Sequence, residues 1–129
     1  MEEKIRLLVV DDEKQFLETI SKRLALRGFD VTPAVSGEAA IEEAGKKDFD
    51  VALIDLKMPG MDGEQVIRAL KKVNEVIEVI ILTGYGSVDS AIRTTDLGAY
   101  NYLQKPCEFD TLLHVIKEAY QKRMQNKPT

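Results

Sequence analysis

IRLLVVDDEKQFLETISKRL, residues 5–24, decides the fold. Its first six residues hold a continuous apolar run that stops on two aspartates, and Phe16, Leu17, Ile20 and Leu24 then recur at helical spacing. An unbroken apolar run, as opposed to an alternating one, belongs to a strand covered on both faces. Such strands are the mark of a parallel sheet flanked by helices. A strand feeding directly into an amphipathic helix is therefore the unit to look for along the rest of the chain.

It recurs. Phe29 to Val35, Phe49 to Ile54, Ile77 to Leu82 and Ala99 to Leu103 read as four further strands, and Val66, Ile67, Leu70 and Val73 form another apolar helical stripe. Gly28 and Gly45 follow helical stretches, Ser36 and Ser87 suit N-caps, and Asp62 with Gln65 fits a capping box. The expectation is an α/β fold, a flavodoxin-like doubly wound (βα)5 with a five-stranded parallel sheet. Pro33 cannot donate a ladder hydrogen bond, so its strand is placed at a sheet edge, in agreement with the strand order 2-1-3-4-5.

Size and balance narrow the class. With 129 residues, 44% hydrophobic and 31% charged, the chain suits one domain, assigned to 1–123, with 124–129 as a polar tail. Eighteen basic against 22 acidic residues give a net charge of −4 with no basic block, which speaks against direct nucleic-acid binding. The longest apolar runs fall far short of the roughly 18 residues that span a bilayer. The lone Cys107 has no internal disulfide partner and the start has no secretory pattern, so a cytoplasmic location is expected.

The polar residues that follow the apolar runs carry the chemistry. Asp11 and Asp12 follow the first run, Asp55 the third, Thr83 the fourth and Lys105 the fifth. All lie at strand C-terminal ends, the edge of an open parallel sheet where ligands bind, so residues distant in sequence converge. Three convergent carboxylates repel one another, and hard oxygen donors of this kind suit Mg²⁺. Singly, each residue has a plainer reading: the aspartates as helix caps, Thr83 and Lys105 as ordinary strand-end residues. Only their convergence sets those readings aside.

Together these residues resemble the two-component response-regulator receiver family over essentially the whole chain, Arg6 to Ala119. The acidic pair matches Asp11 and Asp12, the phosphoacceptor matches Asp55 in DLKMPGMDG at 55–63, the switch threonine matches Thr83, and the Lys-Pro matches Lys105 and Pro106. The resemblance implies phosphoryl transfer from a sensor histidine kinase to Asp55, aided by Lys105 and Thr83. It implies Mg²⁺, with Mn²⁺ as a substitute, held by Asp11, Asp12, Asp55 and the backbone carbonyl of Lys57, with Asp11 acting largely through a water. It gives Tyr102 as the aromatic partner of Thr83 in the switch and raises the expectation of a cis bond at Lys105–Pro106; by strand alternation Tyr100 is expected on the opposite face.

The face of the fourth helix, fifth strand and fifth helix would then meet an output protein or effector domain, or a second copy in a phosphorylation-dependent homodimer. Lys57 and Tyr85 would flank the pocket mouth and shield the phosphoryl group from water. In this reading the chain is a signalling switch that catalyses only its own phosphorylation and dephosphorylation. GYGSVDSAIRTTDLGAYNYLQKP, 84–106, is similar to receivers attached to transcription regulators of the nitrogen-regulation type, and nothing in the chain resembles an effector domain.

Other functions fit less well. A flavin-binding protein needs a phosphate-cradling loop after the first strand, where this chain has DDEKQF. A haloacid-dehalogenase phosphatase needs D-x-D on that strand, where this chain has adjacent aspartates. A receiver-like module that is never phosphorylated would have no use for the complete acceptor set. His114 and Cys107 are given no functional role. Lys46, Lys47, Lys71 and Lys72 read as solvated helix-end charges.

Overall fold

A computed structural model describes residues 4–58, 60–84 and 88–125. Strands and helices alternate throughout: β1 (Arg6–Val10), α1 (Lys14–Leu26), β2 (Asp30–Ala34), α2 (Gly37–Lys46), β3 (Val51–Ile54), α3 (Gly63–Val73), β4 (Glu78–Thr83), α4 (Val88–Asp96), β5 (Ala99–Gln104) and α5 (Phe109–Gln125). The strands form one parallel sheet in the order β2-β1-β3-β4-β5. Pro33 lies on β2, which is an edge strand, as its missing donor requires.

The continuous apolar runs are explained by two cores, one on each face. Leu7 and Val9 turn toward α1 and α5 with Leu53, Ile80, Leu24 and Ile116, whereas Leu8 and Val10 turn toward α2 and α3 with Ile54, Ile81, Ile67 and Leu70. A strand in the middle of such a sandwich has no solvent face, and β1, β3 and β4 are almost wholly buried. No helix among the described residues is long and apolar enough to cross a membrane.

The caps follow the expected chemistry in two cases. Ser36 accepts from Ala39 N–H at the start of α2, and Asp62 with Gln65 closes a reciprocal capping box on α3. Gly28, at φ +93°, ends α1 in the left-handed region that favours glycine. Gly45 does not end its helix: it lies inside α2, which runs on to Lys46. Ser87 lies outside the described residues. Helix α5 continues through Gln125, so Met124 and Gln125 belong to the helix and not to a tail, and 126–129 lie outside the described residues.

Tyr100 and Tyr102 face opposite sides as expected, though not by simple alternation, and Lys71 departs from its expected role. Strict alternation would put Tyr100 and Tyr102 on one face of β5. A register shift between Val79/Ile80 and Ala99/Asn101 leaves Tyr100 as the extra residue, so Tyr100 packs on the α1/α5 core and Tyr102 on the other. Lys71 is not a solvated end charge: its half-buried ammonium donates to Ile77 O, tying α3 to the turn before β4, and burial lowers its pKa.

Candidate functional site

The strand order reverses between β1 and β3, and the gap at their C-terminal ends is where a doubly wound sheet opens a crevice. In register, Val10 stands opposite Ile54 and Ile54 opposite Ile81. The residues just beyond those ends are therefore neighbours. Backbone bonds hold them there: Asp55 N donates to Val10 O at 3.0 Å, Asp11 N to Ala34 O at 3.1 Å, and Lys105 N to Thr83 O at 2.8 Å. Gly63 is needed beside them, because a Cβ there would lie 2.7 Å from Leu56 Cα and 3.0 Å from Asp55 O. Only glycine lets the start of α3 approach the acceptor strand this closely.

Asp11, Asp55 and Thr83 are buried and Asp12 is exposed at the mouth. Asp55 Oδ1 accepts from the Thr83 hydroxyl at 2.5 Å and from Lys57 N–H at 3.1 Å, while Oδ2 lies 3.5 Å from Lys105 Nζ. One acceptor oxygen is thus held by two donors and the other faces a cation. Asp11 divides its oxygens in the same way: Oδ1 accepts from Glu13 N–H at 2.9 Å and Oδ2 from Lys105 Nζ at 2.6 Å. Burial pushes the Asp11 carboxyl above the usual carboxylate range, and the hydrogen bond from Lys105 offsets this only in part. Burial also acts to lower the Lys105 pKa. There the hydrogen bond to Asp11 and the charges of Asp11 and Asp55 prevail, and the net shift is upward.

A cavity of about 280 Å³ opens between Asp12, Glu13, Asp55, Lys57, Thr83 and Gly84. Carboxylate oxygens of Asp11, Asp12 and Asp55 all lie within 4.8 Å of one another. Three hard, negatively charged donors this close fit a small divalent cation. The Lys105–Pro106 bond is cis, as expected.

The structure brings together Asp11, Asp12, Asp55, Lys57, Thr83 and Lys105. Tyr102 is half-buried on β5, packed on the α2/α3 core. Tyr85 lies outside the described residues, as does Pro59. Two participants were not singled out from the sequence. Glu13 Oε1 lies 3.3 Å from Lys105 Nζ, and the Phe16 ring has that same ammonium 4.0 Å from its centroid. Glu13 continued an acidic run and Phe16 was one member of an apolar stripe, so nothing local marked either of them. Cys107 is half-buried with its thiol pKa raised by burial, and the exposed His114 has Nε2 3.4 Å from Glu118 Oε2, one helical turn on.

Fold and cleft together define a doubly wound α/β protein with an acidic crevice at its topological switch point, guarded by a lysine from the last strand. The chain belongs to the response regulator receiver domain family, whose model matches residues 7–117. Sporulation initiation phosphotransferase F of Bacillus subtilis is 33% identical over 113 residues, covering 88% of this chain and 91% of that one. The transcriptional regulatory protein ZraR of Escherichia coli K12 is 36% identical over 115 residues, 89% of this chain. The chain spans only 26% of that regulator's length. A CheY-like receiver domain protein from Methanospirillum hungatei superposes with a TM-score of 0.92 at 27% identity, over 97% of this chain and 100% of that one.

Proposed function

We propose that Asp55 is the phosphoacceptor of this receiver domain, taking its phosphoryl group from the phosphohistidine of a sensor kinase. The observation that carries the reading is the division of labour on the Asp55 carboxylate. Thr83 and Lys57 N–H engage Oδ1, leaving Oδ2 to face Lys105. An Asp55 oxygen forms the new bond to phosphorus as the donor's phosphorus–nitrogen bond breaks, and the departing imidazole keeps the electron pair. Lys105 and the Thr83 hydroxyl lie where they can meet charge on the phosphoryl oxygens. Asp11, Asp12, Asp55 and the Lys57 carbonyl would hold Mg²⁺, or Mn²⁺ in its place, which supplies charge neutralisation for the transferred group. The chain then acts on itself alone, as a switch, and a cytoplasmic site of action suits its single half-buried thiol.

The acidic cluster gives a first expected result. In metal-free protein Asp12→Ala removes one of three like charges and raises stability by about 1 kcal/mol, the scale of two unit charges roughly 4 Å apart near water. The same change removes the rise in melting temperature that Mg²⁺ gives the parent. Thermal melts with and without Mg²⁺ measure both effects, and an undiminished Mg²⁺ effect in the variant would count against the site.

The switch reading is modified by the position of Thr83. Its hydroxyl already bonds Asp55, so phosphorylation exchanges its partner from a carboxylate oxygen to a phosphoryl oxygen and need not draw it in from afar. The response passes to Tyr102 and the α4–β5–α5 face. Strand β5 forms the open edge there, its residues only half-buried, and Ile92 of α4 is 55% exposed. This is the face we assign to an output protein, an effector domain or a second phosphorylated copy. Thr83→Ala should still be phosphorylated, while chemical shifts of β5 and α5 respond far less to a beryllofluoride mimic than in the parent. Equal responses would rule Thr83 out as the relay.

A further inference from the structure

Lys105 is held by more than its carboxylates. Its ammonium sits 2.6 Å from Asp11 Oδ2, 3.3 Å from Glu13 Oε1 and 3.5 Å from Asp55 Oδ2, and 4.0 Å from the centroid of the Phe16 ring. The Glu13 arm is weak, because that side chain is 65% exposed and its charge is screened by water. The lysine side chain is only 15% exposed. The Phe16 ring and Lys105 belong to the wall of a second cavity of about 370 Å³ that meets the acidic one at Glu13, which lines both.

We propose that Phe16 is a positioning residue for phosphoryl transfer: its ring face holds the Lys105 ammonium at the mouth of the acceptor pocket through a cation–π contact. This rests on the reading of Asp55 as acceptor. An aromatic face suits the task for a reason the carboxylates cannot match. Asp11 and Glu13 attract Lys105 as anions and so compete with an incoming phosphoryl group for it, whereas a ring quadrupole is far weaker than a full charge. The ring narrows the lysine's conformational range and still lets it turn to a new anion beside Asp55. Phe16 lies in the first turns of α1, whose start is joined to the Asp11 turn, so ring and carboxylate approach the lysine from one rigid segment.

The test uses acetyl phosphate as donor, so that no protein–protein contact of α1 enters the rate. Phe16→Leu should be phosphorylated about two- to five-fold more slowly than the parent, the range a cation–π contact of this exposure allows. Phe16→Tyr, which keeps the ring, should restore the rate. Phe16→Met, flexible and without a ring, replaces the leucine variant if that one does not fold.

In metal-free, lysine-labelled protein, the ring current should hold the Lys105 Hε signals upfield in the parent and in Phe16→Tyr. They should move downfield in Phe16→Leu, with assignment by Lys105→Arg. An unchanged rate in Phe16→Leu, an unmoved Hε signal, or a folded Phe16→Tyr that fails to restore the rate would each overturn the proposal. If the parent itself takes up no phosphoryl group, the acceptor reading falls and this one with it. If the parent is labelled and Phe16→Leu matches it, only the role of Phe16 falls.

Discussion

Incubated with Mg²⁺ and acetyl phosphate, Asp55→Asn gains no mass, while the parent gains one phosphoryl group by intact mass spectrometry. The loss is complete because an amide oxygen is no nucleophile toward phosphorus, whereas the carboxylate is. The variant is close to isosteric. Its amide oxygen can still accept from the Thr83 hydroxyl and from Lys57 N–H, the two donors that hold Oδ1 in the parent. It also removes one of three clustered negative charges, so the fold should melt no lower than the parent's in the absence of metal. Loss of labelling with an intact melt is therefore a statement about chemistry. Labelling of the Asn variant at the parental rate would show that a different residue accepts the group.

Asp50→Ala lowers the stability of the fold by about 3–5 kcal/mol, out of a total near 5–15 kcal/mol for a domain of this kind. Asp50 is buried just before β3, at the edge of the sheet opposite the acceptor pocket. Its Oδ2 accepts from Arg6 N at 2.9 Å, its Oδ1 from Arg6 Nη2 at 3.2 Å, and Arg123 Nε of α5 lies 3.3 Å from Oδ1. One carboxylate thus joins the starts of β1 and β3 to the last turns of α5. The Arg123 side chain is only 7% exposed, and its Nε and Nη1 have no aligned hydrogen-bond partner. Removing Asp50 strands that buried charge, which is the costly way to break an ion pair.

Denaturant unfolding measures the loss, and a cost below about 1 kcal/mol would mean the pair contributes little net, as exposed pairs commonly do. Phosphorylation of the folded variant should keep the parental rate, since no residue of this cluster reaches the acidic pocket.

How much of this was legible in the sequence depends on whether a feature is carried by near neighbours. The runs LLVV, VALI and VIIL mark buried parallel strands by themselves, because covering both faces of a strand forbids polar alternation. Pro33 placed its strand at an edge because a missing N–H cannot be hidden in mid-sheet. The polar residues ending each run were legible as a site because every parallel strand ends on the same edge. Asp11, Asp55, Thr83 and Lys105 could thus be joined before any coordinate was known.

What escaped the sequence depends on partners far along the chain or on small departures from regular geometry. Asp50 sits inside an apolar run, and its partners Arg6 and Arg123 lie near opposite ends of the chain. The opposite facing of Tyr100 and Tyr102 was expected, but its cause, the one-residue slip in β5, was not, because no periodicity announces it. Gly45 looked like a helix end because glycine commonly is one, yet the helix continues to Lys46. Glu13 and Phe16 gain their meaning only when β5 delivers Lys105 above them. The sequence alone thus determined the alternation of elements, the edge on which the site forms and the residue types that meet there, because burial and strand direction are written in local pattern. Which oxygen of Asp55 is held and which faces Lys105, and what surrounds that lysine, only the tertiary structure decided, because distances between strand ends arise from packing five helices on the sheet.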